Sequence, residues 1–418
     1  MSEAYIIDAV RTPRGSGKPG KGALVELHPQ HLAASVLKAI VARNNLPANS
    51  VDDVIWGTSA QKGKQGGDMG RMAALDAGLG QEVSGITMDR FCGSGLSAIA
   101  LAAGQLKSGF EDLLIAGGTE MMSEIESQRR LEQQAGLPSL GVGTGNARLQ
   151  KKYPQSHQGV CADAIATLEG ISRADLDAFS LESQRRAEVA RAEGRFANTI
   201  IPVLDDDGNV VLDRDEHPRP QATIEDLTKL EPSFAQIGDY PLNKEGATFK
   251  KTIQSVYPDL VIEHVHHAGN SSGVVDGAAA VLMASADAVQ KHGLLPRAKV
   301  IAATNLGDCP TLMLNAPVPA ARKVLAKAGL TVDDIDLWEV NEAFAVVVEK
   351  FIRDLNLDRA KVNVNGGAIA MGHPIGATGA VLVGTVLDEL ERQGLRRALV
   401  TMCAAGGMAP AVIIERVE

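Results

Sequence analysis

The sequence has few aromatic residues, few cysteines and no long apolar run. Its 418 residues include two Trp, four Tyr and eight Phe against 43 Gly, which indicates a core of Ala, Val, Leu and Ile with close backbone approaches. Its four cysteines, Cys92, Cys161, Cys309 and Cys403, form no CxxC pair. This excludes a locally encoded zinc site or redox pair and favours reduced thiols. No apolar run reaches about 18 residues, so no membrane-spanning helix is predicted.

The sequence also has no excess of positive charge, since 51 Asp and Glu outnumber 41 Lys and Arg and the formal net charge is -10. This balance disfavours nucleic acid or an anionic membrane as a partner, and any anion-binding site must be local. The chain enters an apolar strand almost at its start, without the features of a signal or transit peptide. Its last residues, Glu-Arg-Val-Glu, are not a peroxisomal signal. We therefore expect a cytoplasmic protein.

Apolar runs such as AYIIDAV, DDVIWG and DLLIAGG alternate with helical stretches such as HLAASVLKAIVARNN and GLSAIALAAGQLKSG. This β/α rhythm predicts an α/β protein with a sheet covered by helices. The length exceeds what one core fills, so two or three domains are expected.

The chain also contains an internal echo. VLKAIVARNNLPANSVDDVIW, from Val36, resembles VLAKAGLTVDDIDLW, from Val324, and the equivalent Val51 and Val332 are 281 residues apart. The same offset carries Cys92 to His373, within a residue or so. Two similar halves would bring these residues to one place, unless the match of a common pattern is accidental. The region from about 122 to 273 is richer in charge and loops, which is typical of a segment that covers a site.

Three blocks rich in small residues hold candidate catalytic groups. Cys92 precedes Gly-Ser-Gly and a helical stretch, and a helix N-terminus favours thiolate. His373, in MGHPIGATGA, is a natural proton acceptor for a thiol. Cys403 follows an apolar strand and can serve as a second acid/base. Asn341, between a strand and a helix, is by default an N-cap but could equally orient a catalytic water.

Each of these residues also has a purely structural interpretation. Either thiol can be a packed core cysteine, and a histidine in a glycine-rich loop often caps or hydrogen-bonds the backbone. Cys161 and Cys309 have no comparable glycine context and are predicted to be packing residues.

Nearly the whole chain resembles the thiolase family, the acetyl-CoA acetyltransferases and 3-ketoacyl-CoA thiolases. The resemblance rests on blocks in the family's order: VRTPRG, DRFCGSGLSAIALAAG, AGGTEMMS, ADLDAFSLESQRRA, RPQATIEDLTKLEPSF, AGNSSGVVDGAAA, NEAFA, GGAIAMGHPIGATGA and CAAGGM. It implies a five-layer αβαβα core of two βα halves with an inserted loop domain. The implied halves are residues 1–121 with about 274–295, and 296–418, and the loop domain is 122–273.

The resemblance also implies a mechanism without a metal or a permanently bound cofactor, in which coenzyme A is a substrate. Cys92, deprotonated by His373, would carry the acyl group, and Cys403 would move a proton at the α-carbon of the second acyl-CoA. One oxyanion hole would consist of His373 and a water held by Asn341, and the other of the amides of Cys92 and Ala405.

The binding residues that the resemblance implies fall into two groups. Arg219, Ser272 and His157 would contact CoA. Gln158, Phe234 and Met313 would line the acyl pocket. Gln158 stands where short-chain members have methionine, and the segment between Phe234 and AGNSSG is about 25 residues longer than the family pattern. Ala405 and Ala409 stand where glycines are usual, which narrows the space around the second oxyanion hole.

These departures predict a degradative thiolase for a longer, branched or ring-bearing acyl group. The alternatives are a biosynthetic acetoacetyl-CoA thiolase, a ketoacyl synthase, which would lack the second cysteine, and a non-catalytic acyl-CoA or lipid-binding relative. The family also implies a homodimer or homotetramer.

Overall fold

The computed structural model describes residues 3–137, 142–242 and 246–417. The first part of the chain alternates strands and helices: β1 (Tyr5–Arg11), β2 (Gly15–Ser16), α1 (Pro29–Arg43), β3 (Asp53–Gly57), α2 (Met69–Asp76), β4 (Ser84–Met88), α3 (Ser94–Ser108) and β5 (Leu113–Met121).

The middle of the chain is mainly helical. It contains α4 (Met122–Gln134), α5 (Ala147–Lys152), α6 (Gln158–Glu169), α7 (Arg173–Ala192), the hairpin of β6 (Val203–Leu204) and β7 (Val210–Leu212), α8 (Ile224–Thr228), α9 (Ala235–Gly238) and α10 (Phe249–Gln254). Local signals fix its longest helix, α7, which begins at a capping box of Ser172 and Asp175.

The last part repeats the first. It contains β8 (Val275–Ala284), α11 (Ala286–His292), β9 (Ala298–Gly307), α12 (Pro317–Ala328), β10 (Leu337–Val340), α13 (Ala345–Leu355), α14 (Ala368–Met371), α15 (Thr378–Gln393), β11 (Arg397–Thr401) and β12 (Met408–Arg416). Short 3₁₀ turns lie at Gly63–Gln65, Val332–Asp334 and Arg359–Lys361.

The main strands follow the order β10-β11-β12-β9-β1-β8-β5-β3-β4. The two halves meet where β1 pairs with β9 over two residues, Tyr5 with Lys299 and Ile6 with Ala298. Each half has the same plan. In the first, β3 is parallel to β5, and β5 is antiparallel to β8. In the second, β10 is parallel to β11, and β11 is antiparallel to β12.

Helices cover both halves and also fill the space between them. The central helices α3 and α15 pack on each other and on strands of both halves, and their buried side chains form one core cluster with inward-facing strand residues. Helices α1 and α2 cover the outer face of the first half, and α12 and α13 cover that of the second. The layers are therefore αβαβα, which confirms the predicted fold class.

The internal echo corresponds to these two halves, with one correction. Cys92 and His373 lie in equivalent loops, before α3 and α15, but Cys92 is two residues from its helix and His373 is five. The fixed offset of 281 residues therefore identifies equivalent loops but not equivalent positions within them. The reason is that the turn His373–Ala377 before α15 is longer than the turn before α3. Since β8 returns to lie between β1 and β5, we propose the division at about 122, 274 and 296 as a description of the chain.

Candidate active site

Cys92 lies in a tight turn that leads into α3. The Gly93 amide donates to the Arg90 carbonyl (3.0 Å), and the Ser94 amide donates to that of Phe91 (3.1 Å). The Ser94 hydroxyl donates to the Phe91 carbonyl (2.6 Å) and accepts from the Arg90 amide (2.8 Å). Phe91 has a φ of 49°, a left-handed conformation that costs about 1–3 kcal/mol. The turn fixes the Cys92 sulfur at the amino end of α3.

The environment of that sulfur keeps it protonated at rest. Burial and then the charge of Glu120 raise the pKa of Cys92 to about 12, although the amides of Cys92 and Ala405 both lower it. The expectation that the helix N-terminus makes Cys92 a thiolate is therefore wrong for the resting site, because loss of water and nearby carboxylates outweigh the amides. Attack by Cys92 requires a base.

Cys403 and Ala405 belong to the turn between β11 and β12. The turn is closed by backbone hydrogen bonds between Ala404 and Met408, and Gly406 and Gly407 both have a φ of 77°, in the left-handed region. A side chain on Gly407 would also come within 2.7 Å of the Cys309 carbonyl. Burial, and then the approach of Cys92, raise the pKa of Cys403. The two thiols are therefore close enough for their charges to interact.

The ring of His373 is fixed by Thr378. Its Nδ1 lies 2.6 Å from the Thr378 hydroxyl, which in turn donates to the carbonyl of Pro374 (3.0 Å). Because the hydroxyl proton is used there, Nδ1 carries the ring proton and Nε2 carries a lone pair. The side-chain Nδ2 of Asn341 lies 3.4 Å from Nε2. His373 is therefore held in the tautomer whose Nε2 can accept a proton.

Asn341 is not a helix cap. The residue that precedes α13 is Phe344, whereas Asn341 is fully buried and its Oδ1 makes no hydrogen bond within the described residues. The backbone amide of Asn341 donates to the carbonyl of Thr401 (3.2 Å), which ties it to the strand before Cys403. The default expectation is corrected by the side chain's direction toward His373.

Two functional contacts had no signal in the sequence beyond membership of a family block. Arg14, of VRTPRG, donates to the carbonyl of Gly372 (2.9 Å). Burial and then the charge of Arg14 lower the pKa of His373 to about 3, so the imidazole is neutral at physiological pH. Glu120 accepts hydrogen bonds from the amides of Ser59 (3.0 Å) and Gly376 (2.9 Å), which joins the loops of both halves.

This arrangement can carry out acyl transfer. A neutral thiol and a neutral imidazole can exchange a proton as the sulfur attacks a carbonyl. The amides that point at the sulfur can also stabilise an oxyanion that forms beside it. A second thiol in the same space can move a proton at a neighbouring carbon.

Comparison with known proteins decides the family. The thiolase N-terminal domain profile matches residues 4–240, and the thiolase C-terminal domain profile matches residues 294–416. The chain belongs to the thiolase family. It is therefore an acyltransferase that works on CoA thioesters, as the sequence motifs predicted.

Its relatives include thiolases that are named for several different acyl groups. The chain is 41% identical to a beta-ketoadipyl-CoA thiolase of Acinetobacter baylyi, with all of both chains covered. It is 40% identical to the 3-oxoadipyl-CoA/3-oxo-5,6-dehydrosuberyl-CoA thiolase of Escherichia coli, again with full coverage. A steroid 3-ketoacyl-CoA thiolase of Mycobacterium tuberculosis is 40% identical over 100% of this chain and 95% of its own.

A solved structure agrees with the fold. The crystal structure of the Bacillus anthracis acetyl-CoA acetyltransferase has a TM-score of 0.81 and 33% identity to this chain, and the match covers 100% of this thiolase and 99% of that chain.

The predicted CoA-binding residues lie at different depths. Ser272 is half-buried, and its amide donates to the carbonyl of Ala343 (3.0 Å), beside Asn341. His157 caps α6, and burial lowers its pKa. Arg219 is exposed, and its backbone amide donates to the side-chain oxygen of Gln184 (2.9 Å). Their roles stay predictions.

The predicted acyl-pocket residues are only partly gathered. Phe234 packs so closely on α6 that a side chain on Gly159 would lie 2.3 Å from its ring. Met313 is buried with a φ of 64° and belongs to the same apolar cluster as Phe234 and Cys403. Gln158 is exposed at the first position of α6, so the structure places it outside that cluster, and its role also stays a prediction.

The extra segment after Phe234 packs into this cluster too. Its residues Ile237, Phe249, Ile253, Tyr257, Leu260, Ile262 and Val265 share it with Met313 and Cys403. The ring of Phe249 meets that of His157 edge-on, with 5.6 Å between centroids. The segment therefore packs into the same apolar cluster as Cys403 and contacts the predicted CoA-binding residue His157. Residues 243–245 of the segment lie outside the described residues.

Among residues 3–137, 142–242 and 246–417, no group of three or more His, Cys, Asp or Glu side chains could hold a metal ion. In the same ranges no helix is long and apolar enough to cross a membrane. Cys161, predicted to be a packing residue, is buried with its sulfur 3.2 Å from the Thr311 carbonyl. Cys309, also predicted to pack, is half-buried.

Proposed function

We propose that this thiolase cleaves a 3-oxoacyl-CoA with CoA through an acyl-Cys92 intermediate, and that the reverse Claisen condensation uses the same groups. The observation that carries the proposal is the neutral His373, with its lone pair toward Asn341, in one site with the paired thiols Cys92 and Cys403.

The steps follow from these groups. As the Cys92 sulfur attacks the 3-oxo carbon, its proton passes to Nε2 of His373. The C2–C3 bond then breaks, and the released enolate of acetyl-CoA takes the proton of Cys403. The thiolate of Cys403 accepts a proton from the thiol of CoA, which attacks the acyl-Cys92 thioester. The leaving sulfur of Cys92 recovers its proton from His373.

Oxyanions form at both stages. We assign one oxyanion hole to the amides of Cys92 and Ala405, because both act on the same sulfur. We assign the other to His373 with a water held by Asn341, whose buried Oδ1 makes no hydrogen bond within the described residues. The CoA tail would run past His157 and Ser272 toward the exposed Arg219, which suits a nucleotide phosphate.

We propose a degradative role and an acyl group other than acetoacetyl. The extra segment after Phe234 packs into the apolar cluster that includes Cys403 and Met313. The relatives at 40–41% identity are named for beta-ketoadipyl-CoA and for steroid 3-ketoacyl-CoA, neither of which is a plain short-chain substrate. The alternative is a biosynthetic acetoacetyl-CoA thiolase.

The test is the rate of CoA-dependent cleavage of acetoacetyl-CoA beside longer, branched and cyclic 3-oxoacyl-CoA esters, with Cys92→Ala as the blank. We expect kcat/KM to be at least about 10-fold higher for the best larger ester, since a fitted pocket discriminates by that order. Equal or higher kcat/KM for acetoacetyl-CoA would contradict the substrate proposal, and no cleavage of any ester would contradict the function.

We further propose a cytoplasmic homodimer or homotetramer. Strand β4 is at the end of the strand order, and the side chain of Ile86 in it is 51% exposed. An exposed edge strand with an apolar side chain is suited to pairing with a second copy. Light scattering at micromolar concentration would give the mass of a dimer or tetramer, and a mass of one chain would contradict this proposal.

A further inference from the structure

Two histidines at the end of the extra segment share one buried carboxylate. Nδ1 of His264 lies 2.7 Å from Oδ2 of Asp163, and Nδ1 of His266 lies 2.8 Å from Oδ1. The amides of Val265 (3.1 Å) and His266 (2.9 Å) also donate to Oδ1. Asp163 is fully buried on α6, and although burial raises its pKa, these hydrogen bonds lower it overall. Asp163 is therefore held as a carboxylate.

The other ring nitrogen of each histidine, Nε2, makes no hydrogen bond within the described residues. Nε2 of His264 and Nε2 of His266 are both buried and have no hydrogen-bond partner among the described residues. The side chain of His266 is 0% exposed, and that of His264 is 13% exposed. Buried polar atoms without partners are unfavourable and uncommon in folded proteins, and they often mark a functional position.

The neighbouring His267 provides a contrast. Its Nε2 lies 2.8 Å from Asp177, and its Nδ1 accepts from the amide of Gly269 (3.0 Å). Both ring nitrogens are thus used within the protein, as in a structural histidine. The spare nitrogens of His264 and His266 are therefore not a general property of this segment.

Ring contacts connect His266 with Phe234, a residue predicted to line the acyl pocket. A chain of ring contacts leads from His157 to Phe234 (5.7 Å between centroids), then to Phe344 (5.8 Å), then to His266 (5.7 Å). Phe234 and Phe344 belong to the apolar cluster that includes Cys403.

The position of His264 adds a second line of contact. Its ring lies against the backbone of Gly238 in α9, where an added side chain would come within 3.3 Å of it. Both rings are thus held between α6 and the extra segment.

We propose that His264 and His266 bind a carboxylate at the far end of the acyl chain, so that the substrate is the 3-oxoacyl-CoA of a dicarboxylic acid. An imidazole that carries both protons presents Nε2–H as a charge-assisted donor for a carboxylate. Each ring takes up one proton at Nε2 to act as this donor, and the two positive charges are balanced by Asp163 on the inner side and by the substrate carboxylate on the outer side. The inference rests on the proposed thiolase function and names the substrate class of that site.

A hydrocarbon end is a poor fit for the same place. It would leave both Nε2 atoms buried without partners, whereas the two oxygens of a carboxylate can accept from the Nε2–H groups of the doubly protonated rings. Sites built to hydrogen-bond a substrate oxygen strongly reject the analogue that lacks it. Among the relatives, this favours the chemistry of a dicarboxylic acyl group over that of a purely apolar one.

The test compares two esters with six-carbon acyl chains, 3-oxoadipyl-CoA and 3-oxohexanoyl-CoA, which differ only in a terminal carboxylate or methyl group. We expect kcat/KM of the wild-type enzyme to be at least about 10-fold higher for 3-oxoadipyl-CoA. In His266→Asn, the amide nitrogen can replace Nδ1 on Asp163 while Nε2 is deleted. We expect this variant to lose about 10-fold of that preference, read as the ratio of the two kcat/KM values, in which a loss of activity common to both esters cancels.

His264→Asn should reduce the preference in the same direction, and His267→Asn is the matched control. The control removes a buried histidine nitrogen that has a partner, so any loss of activity should affect both esters equally. If His266→Asn fails to fold, product inhibition of the wild-type enzyme replaces it, and succinyl-CoA should inhibit at least about 10-fold more tightly than butyryl-CoA.

The outcomes separate the two proposals. Cleavage of both esters without a preference, or an unchanged preference in His266→Asn, would overturn the carboxylate subsite and leave the thiolase function standing. Cleavage of neither ester, nor of any other 3-oxoacyl-CoA, would overturn the proposed function itself.

Discussion

At the scale of single residues, the tautomer of the proposed base, His373, depends on the hydroxyl group of Thr378. The Thr378 hydroxyl accepts from Nδ1 of His373 and donates to the backbone carbonyl of Pro374, which leaves the lone pair of the ring on Nε2. A histidine held in the wrong tautomer cannot take the proton of a thiol, and a wrong tautomer in a related base is very costly. The proposed role of His373 as a base therefore depends on this contact.

We predict that Thr378→Val, which removes the hydroxyl at nearly constant volume, lowers kcat by about 10- to 100-fold with a small change in Tm. Thr378→Ser should restore most of the rate. Thr385→Val is the control, because its hydroxyl lies in the same helix but donates to the carbonyl of Val381 (2.9 Å). Steady-state kinetics with saturating substrate check this, and a Thr378→Val enzyme with wild-type kcat would contradict it.

The sequence indicated which residues to consider as catalytic candidates, but it did not predict their protonation states. The glycine contexts of Cys92, His373 and Cys403 identified which groups to consider. The prediction that Cys92 is a thiolate was wrong because the pKa of this thiol depends on burial and on the charge of Glu120, which lies 28 residues away in the chain. The contact of Arg14 with Gly372 joins residues 358 positions apart, and no local pattern encodes such a pair.

At the scale of elements, the middle region is tied to the first half by a buried ion pair. Asp215 lies 2.7 Å from Nη1 of Arg11 and 3.7 Å from Nε of Arg14. Burial raises the pKa of Asp215, but the charges of Arg11 and Arg14 lower it to about 2. The same Arg14 reaches the loop of His373, so the pair supports the site as well as the fold.

We predict that Asp215→Asn lowers the free energy of unfolding by about 3–5 kcal/mol at neutral pH, because two buried guanidinium groups lose their partner. The folded pKa lies below the usual 3.8, so this stabilisation is present above about pH 4 and is lost as the pH falls toward 2. Denaturation across that pH range checks the prediction.

The exposed neighbour Asp213 supplies the control, as Asp213→Asn. If the difference in free energy of unfolding between wild type and Asp215→Asn did not become smaller between pH 4 and pH 2, the stabilising role of the Asp215 carboxylate would be contradicted.

The elements themselves were largely predictable, since apolar runs gave the strands and glycine-flanked stretches gave helices. The register of the internal repeat was not, because the turn before α15 is longer than that before α3. Nor could sequence place Asp163 against His264, since their hydrogen bond spans 101 residues between α6 and a loop.

At the scale of the whole molecule, duplication explains why distant residues share a site. The central helices α3 and α15 pack on each other, so the loops that precede them, with Cys92 and His373, lie at the same end of the central layer. The second half adds Asn341 after β10 and Cys403 after β11, which are parallel neighbours. The middle region adds a segment that packs into the same apolar cluster as Cys403.

The central claim is that Cys92 is the residue that carries the acyl group. The most direct measurement is the mass of each cysteine peptide after incubation with an acyl-CoA and rapid acid quenching. We predict an acyl mass on the Cys92 peptide in the wild-type enzyme and in Cys403→Ala and Cys309→Ala, and none in Cys92→Ala. An acyl group that persisted in Cys92→Ala, or that appeared on Cys403 in the wild-type enzyme, would contradict the account.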